Sequence, residues 1–199
     1  KPLYAWLRAR GTPDAEAKDA VQGFYVELLD KGTLARFGPA RSRFRTFLLA
    51  CLRGYVSHLR DREGAQKRGG GRKRVAVDDV RDQAVDKGPS PEEAYDRAWA
   101  LGLLDRAFRR WRDRLTQAGK AQWLPLVDLL EARGLGNLPP VAELAKQLAV
   151  TEPQVRHFLN REARTRLRED ILAEVREGTS SDTEAEEELQ HLMACLGRS

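Results

Sequence analysis

Thr151, Gln154, Arg156, His157, Asn160, Arg161 and Arg164 stand within one short stretch of the chain. Arg156, Asn160 and Arg164 recur every four residues, so a helix would carry them on one face. A guanidinium forks onto two acceptors, and an amide sets a donor beside an acceptor. Such a face suits base edges in a major groove and the phosphates beside it.

A second set lies upstream. Phe37, Ser42, Arg43 and Phe44 combine aromatic surface with polar edges, which is what a slot for an unstacked base requires. Arg45, Arg53, Ser57 and Arg60 follow on one flank of an apolar stripe. Between Arg36 and Arg74 there are 12 Lys/Arg and 2 Asp/Glu, a local charge of +10. A basic face beside an apolar face fits a nucleic-acid backbone. Taken alone, it fits equally a core helix whose arginines are merely solvated.

Catalytic chemistry finds no comparable set. His58, His157 and His191 are dispersed, and no Ser/His/Asp order or metal-ligand spacing is present. Gly69-Gly70-Gly71 follows no strand and so is not a phosphate loop. Cys51 and Cys195 are far apart and outside any C-x-x-C pattern, which argues against a disulfide framework or zinc site and fits a reducing compartment. The reading is a non-enzyme with no cofactor and no metal.

These residues need elements to hold them. Within Arg43–Gly71, Phe44, Phe47, Leu48, Cys51, Leu52, Tyr55, Val56 and Leu59 repeat with the period of one buried helix face. Before it, residues 1–10 read as a short helix with Leu3, Trp6 and Leu7 inward, ended by Gly11. Thr12 as cap and Pro13 at the first position open a helix to about Lys31, with Ala17, Ala20, Val21, Phe24, Tyr25, Leu28 and Leu29 as its stripe. Gly32 suits the position after that helix, and Gly38-Pro39 suits a turn. Residues 67–90 lack periodicity and read as a solvated tether. Val75–Asp96 carries 7 acidic and 2 basic residues, so it could fold back on the basic helix.

Ser90-Pro91-Glu92-Glu93 is a strong helix start, with Ser90 as cap, Pro91 at the first position and Glu93 closing a capping box. The helix runs to about Leu115 with Ala94, Ala98, Leu101, Leu104, Phe108, Trp111 and Leu115 inward. A helical stretch over Gln117–Arg133 should kink or split at Pro125 and end at Gly134. Leu135–Leu138 is a loop, and Pro139-Pro140 positions the next helix.

Val141–Asn160 then fits a helix-turn-helix. Leu144, Leu148, Val150, Val155 and Phe158 are apolar where the pattern needs them, and Ala145 is small where the helices cross. Ala149 sits at the turn, where glycine is usual, which predicts a left-handed residue. Thr151 and Gln154 form a capping box. Glu152, Pro153, Arg156, His157 and Asn160 face outward, followed by Arg161 and Arg164.

The chain has 199 residues and a net charge of +5, enough for one large domain or two small ones with a polyanionic partner. No apolar run approaches the ~18 residues that span a bilayer, and no secretory signal is visible. From Glu169 onward the tail is acidic, with 9 Asp/Glu against 2 Lys/Arg. Gly178–Ser181 reads as a hinge before an amphipathic helix, Asp182–Leu196. That helix packs on its own domain or serves a partner.

Taken together, the chain resembles the extracytoplasmic-function (ECF) sigma factors of the sigma-70 type. The resemblance rests on Lys18-Asp19-Ala20-Val21-Gln22-Gly23-Phe24-Tyr25, on Arg41-Ser42-Arg43-Phe44-Arg45-Thr46-Phe47-Leu48-Leu49, and on Asp61-Arg62-Glu63-Gly64-Ala65-Gln66-Lys67-Arg68-Gly69-Gly70-Gly71. Pro91–Ala100 resembles the opening of that group's second domain, and Glu187–Leu192 its C-terminal end. Lys18 stands where the group has an acidic residue.

The resemblance implies an all-α protein of two small helical domains joined by a flexible linker. Sigma region 2 would occupy 1–68, the linker 69–90, and region 4 would occupy 91–176 with its helix-turn-helix at 141–160. The acidic tail helix would lie in 177–199. It implies a cytoplasmic transcription initiation factor, not inserted in a membrane, whose partners are core RNA polymerase (β′ clamp and β flap), promoter DNA and an anti-sigma factor. Asp19, Gln22, Phe24, Tyr25 and Leu28 would face the polymerase. Phe37, Ser42, Arg43, Phe44, Arg45, Arg53, Ser57 and Arg60 would bind the minus-10 element. Thr151, Gln154, Arg156, His157, Asn160, Arg161 and Arg164 would read the minus-35 element. The competing reading is a stand-alone helix-turn-helix regulator of operator DNA. It has no need of the aromatic loop or the basic single-strand helix.

Overall fold

In the computed structural model, residues 1–67 and 88–197 are described, and every element among them is helical. Most of the linker expected over 69–90, with its three glycines, lies outside the described residues. The described residues form two compact units. The first holds the residues up to Trp99, with Gly178–Ser180 and 194–197. The second holds Ala100–Glu177 with Ser181–Met193.

The first unit is built on α1 (Pro2–Ala9), α2 (Asp14–Asp30) and α3 (Phe44–Lys67). Leu3, Trp6 and Leu7 are buried, and Gly11 takes a φ of +80° that ends the turn after α1. The start of α2 is one residue later than the Thr12 cap predicts. Pro13 is the N-cap, in extended geometry; its carbonyl accepts the Ala17 amide at 2.8 Å, and its hydrocarbon ring offers no side-chain cap bond. Gly32 adopts φ +57° beyond α2, as its position suggests. Gly23 lets α2 approach α3 closely: a Cβ there would push aside the Tyr55 hydroxyl, whose ring sits edge-on to Phe24 with centroids 5.7 Å apart.

The first unit does not stop at residue 90. It takes in the opening of α4 (Pro91–Gln117), whose Tyr95 is fully buried with Trp6, Leu7, Leu48, Leu49 and Leu52. The expected capping box is present. The Ser90 amide donates to Glu93 at 2.8 Å, and the Glu93 amide donates to Ser90 Oγ at 3.2 Å.

In the second unit, Phe108, Trp111 and Leu115 from α4 are buried as expected. Leu101 is not: it is 51% exposed, and Ala100, Leu103 and Ala107 are buried instead. The helical stretch expected over Gln117–Arg133 divides just ahead of Pro125, as that residue predicts. A 3-10 turn, Ala121–Trp123, leads into α5 (Leu124–Arg133), and Pro125 falls in the first turn of α5, where no amide hydrogen is needed. Gly134 ends α5 with φ +72°. Next come α6 (Val141–Gln147), α7 (Glu152–His157), a π-helical segment Phe158–Arg166, and α8 (Leu167–Arg176). Their core holds Leu126, Val127, Leu130, Leu144, Ala145, Val155, Phe158 and Ala163 around Trp111 and Trp123.

The last helix, α9 (Asp182–Gly197), buries Ala185, Glu188, Leu189 and Leu192. Arg168 of α8 pairs with Glu186, and Arg176 pairs with Asp182 at 2.8 Å, so the opening of α9 packs within the second unit.

Candidate nucleic-acid interface

The turn between α6 and α7 is built as the residues require. Ala149 has φ +53°, and the Val150 amide returns to the Ala145 carbonyl at 3.0 Å. Thr151 caps α7: its amide donates to Gln154 Oε1 at 2.8 Å and its hydroxyl to the same oxygen at 3.0 Å. Val155 and Phe158 anchor the helix from below. The Phe158 ring lies between two indoles, 4.3 Å from Trp123 and 5.5 Å from Trp111.

That anchoring sets the opposite face free. Thr151, Glu152, Pro153, Gln154, Arg156, His157, Asn160, Arg161 and Arg164 are all exposed. Arg156 is tethered to Glu152 at 2.9 Å, an exposed pair that a phosphate or base edge can displace at little cost. After His157 the helix widens. The Thr165 hydroxyl donates to the Asn160 carbonyl five residues back, at 3.3 Å. Sequence periodicity predicts an ordinary α-helix here, so the widening re-aims Asn160, Arg161 and Arg164 relative to that expectation.

One cation beside this face escapes the sequence pattern. Lys120, from the turn before α5, lines an open pocket of about 450 Å³ with Leu115, Trp123, Gln154 and His157. Its separation in sequence from the helix-turn-helix hides it.

The first unit carries the other set. Phe37 lies 5.1 Å from Phe44 and 5.4 Å from Phe47, and Phe44 meets Trp99 at 6.1 Å, centroid to centroid. Ser42 and Arg43 are half-buried at the edge of this cluster. The Arg41 amide donates to the Gly38 carbonyl at 2.8 Å, forming the Gly38-Pro39 turn. Arg53, Ser57 and Arg60 are exposed along α3, one or two turns apart.

Arg45 departs from the expected open face. Its side chain is 12% exposed and pairs with Asp96, itself 14% exposed. The Tyr95 hydroxyl donates to the Arg45 carbonyl at 2.9 Å. Arg10 was not expected at all, yet it lies 4.5 Å over the Trp6 ring. Burial, with Arg60 and Arg53 close by, holds its guanidinium below the usual arginine value, so Arg10 extends the Arg53–Arg60 cationic row.

The expected polymerase face divides. Phe24 and Leu28 are buried at 3% and 5%, because α2 needs both to close on α1 and α3. Asp19, Gln22 and Tyr25 are exposed, and Val26, Leu29 and Leu34 join them as large exposed apolar side chains.

Among the described residues the fold is all-helical, with a helix-turn-helix geometry over α6 and α7 that follows a helix carrying exposed arginines beside an aromatic cluster. The family model for ECF sigma factors matches residues 7–173, and the chain belongs to that family. It is thus a sigma factor, a non-enzymatic transcription initiation protein that works with RNA polymerase and DNA. No curated protein and no solved structure gives a significant match. No helix among the described residues is long and apolar enough to cross a membrane.

Proposed function

We propose that this chain directs core RNA polymerase to a defined set of promoters by dividing recognition between its two units. The second unit reads the minus-35 duplex. Arg156, His157, Asn160, Arg161 and Arg164 contact base edges and phosphates, Thr151 and Gln154 seat the helix end, and Lys120 adds a phosphate contact. The observation that carries this reading is the exposed Arg–His–Asn face of a capped helix anchored by Val155 and Phe158, within a chain of the sigma family.

The first unit works on the minus-10 element. Phe37, Ser42, Arg43 and Phe44 line a slot for a flipped-out base, and Arg53, Ser57 and Arg60, with Arg10, follow the phosphates of the opened strand, joined by Arg45 only once Asp96 releases it. Asp19, Gln22 and Tyr25 dock on the β′ clamp, together with Val26 and Leu29, while the second unit meets the β flap. The exposed face of α2 supports this: Tyr25, Val26 and Leu29 are exposed together at 44%, 59% and 65%, an apolar row of the kind that marks an interaction surface. The same row suits an amphipathic helix of an anti-sigma factor competing with the polymerase. The work is cytoplasmic, where polymerase and chromosome meet.

Run-off transcription tests the proposal. Core polymerase with this chain should give discrete transcripts from a genomic library. Core alone, or with an Arg156→Ala, Asn160→Ala double variant, should not.

A further inference from the structure

Two carboxylates lie against the α3 face assigned above to the minus-10 strand. Glu92 pairs with Arg53, and Asp96 pairs with Arg45. They stand four residues apart at the opening of α4, on one helix face. A neighbouring stripe holds them in place. Tyr95 is buried and donates its hydroxyl to the Arg45 carbonyl, Trp99 meets Phe44, and the Trp6 indole donates to Glu92 at 3.1 Å. All of these residues belong to the first compact unit.

The geometry points to a phosphate-mimicking latch. Carboxylate and phosphate oxygens accept the same forked hydrogen bonds from guanidinium. Asp96 occupies Arg45 at a site where both side chains are nearly buried, so no phosphate reaches Arg45 until Asp96 leaves. Glu92 occupies Arg53 at a half-exposed site, so that arm opens more readily. Trp99 sits on the same Phe44 that the base slot needs. Glu92 and Asp96 thus hold the free chain in a state of low affinity for single strands, and their release from Arg53 and Arg45, with Tyr95 kept in the core, exposes two arginines together. This inference rests on the minus-10 reading of α3.

Binding of a short, labelled single-stranded DNA of mixed sequence to the full chain, without polymerase, tests it by fluorescence anisotropy. Glu92→Gln with Asp96→Asn should tighten binding about tenfold, as expected if only a tenth of the free chain is open. Glu16→Gln with Asp30→Asn changes net charge equally on exposed α2 positions and should change binding far less. Adding Arg53→Ala and Arg60→Ala to the latch variant should remove the gain. If the double variant does not fold by circular dichroism, Glu92→Gln alone decides: a gain that Arg53→Ala abolishes supports the latch, and no gain overturns it.

A gain matched by the α2 control, or one that survives loss of Arg53 and Arg60, also overturns the latch. No gain, with Arg53→Ala and Arg60→Ala still blocking promoter opening by the polymerase complex, overturns the latch and leaves the minus-10 reading standing. If those arginine changes have no effect in the complex either, the minus-10 reading fails and takes the latch with it.

Discussion

The Trp123 ring lies parallel to Phe158, 4.3 Å away and 6° from coplanar. One ring belongs to the turn before α5, and the other begins the π-helical segment that continues α7. The stack therefore ties the end of α7 and the segment after it to the turn before α5. Phe158→Ala should destabilise the second unit by about 3–5 kcal/mol through lost burial and an unfilled cavity. Urea unfolding followed by tryptophan fluorescence measures it directly. A loss under about 1 kcal/mol would mean that the helix is held by something other than the stack.

Ala149 bears a conformational cost that glycine would not. A left-handed alanine costs roughly 1–2 kcal/mol, whereas glycine adds unfolded-state entropy of about 0.4–1 kcal/mol. Ala149→Gly should therefore raise the stability of the second unit by up to about 1.6 kcal/mol. The same urea titration checks the sign.

Glu92 carries a pH signature. Burial pushes its carboxyl up, but hydrogen bonds from Trp6 and Arg53, with the Arg53 charge, outweigh burial and hold it below its ordinary value of 4.5. A depressed folded value means that the group's stabilising contribution is present above the unfolded value and is lost as pH falls through the folded one. NMR titration of the Glu92 carboxyl should give a midpoint below 4.5, and Arg53→Ala should move it upward. An unchanged midpoint in that variant would remove Arg53 as a cause.

Legibility in the sequence followed the range of the interactions. The helix-turn-helix was readable because its requirements are local: Ala145 at the crossing, Ala149 at the turn, Thr151 and Gln154 at the cap. The box of Ser90 and Glu93 is local too. Arg45 was misplaced because Asp96, which draws it inward, lies 51 residues away. The stripe of α2 runs wider than its buried face, so sequence alone did not separate buried Phe24 and Leu28 from exposed Tyr25 and Leu29. Leu101 was assigned inward by period, but Ala100, Leu103 and Ala107 set the buried line of α4 there.

On the proposed minus-35 reading, α7 and the segment after it make two kinds of contact. Arg156→Ala or Asn160→Ala should reduce discrimination at single minus-35 positions by about 1–3 kcal/mol for each lost bidentate contact. Arg164→Ala should weaken binding evenly across sequences and flatten its salt dependence. Competition binding of the polymerase complex to minus-35 variants at several salt concentrations distinguishes them.

Permanganate footprinting of polymerase–promoter complexes separates the work of the two units. Permanganate marks unpaired thymines, so it reports opening at the minus-10 element apart from binding upstream. Arg53→Ala with Arg60→Ala should abolish thymine reactivity while minus-35 protection persists. Arg156→Ala with Asn160→Ala should remove minus-35 protection first. Full thymine reactivity in the Arg53 and Arg60 variant would mean that the first unit does not open the minus-10 element through α3.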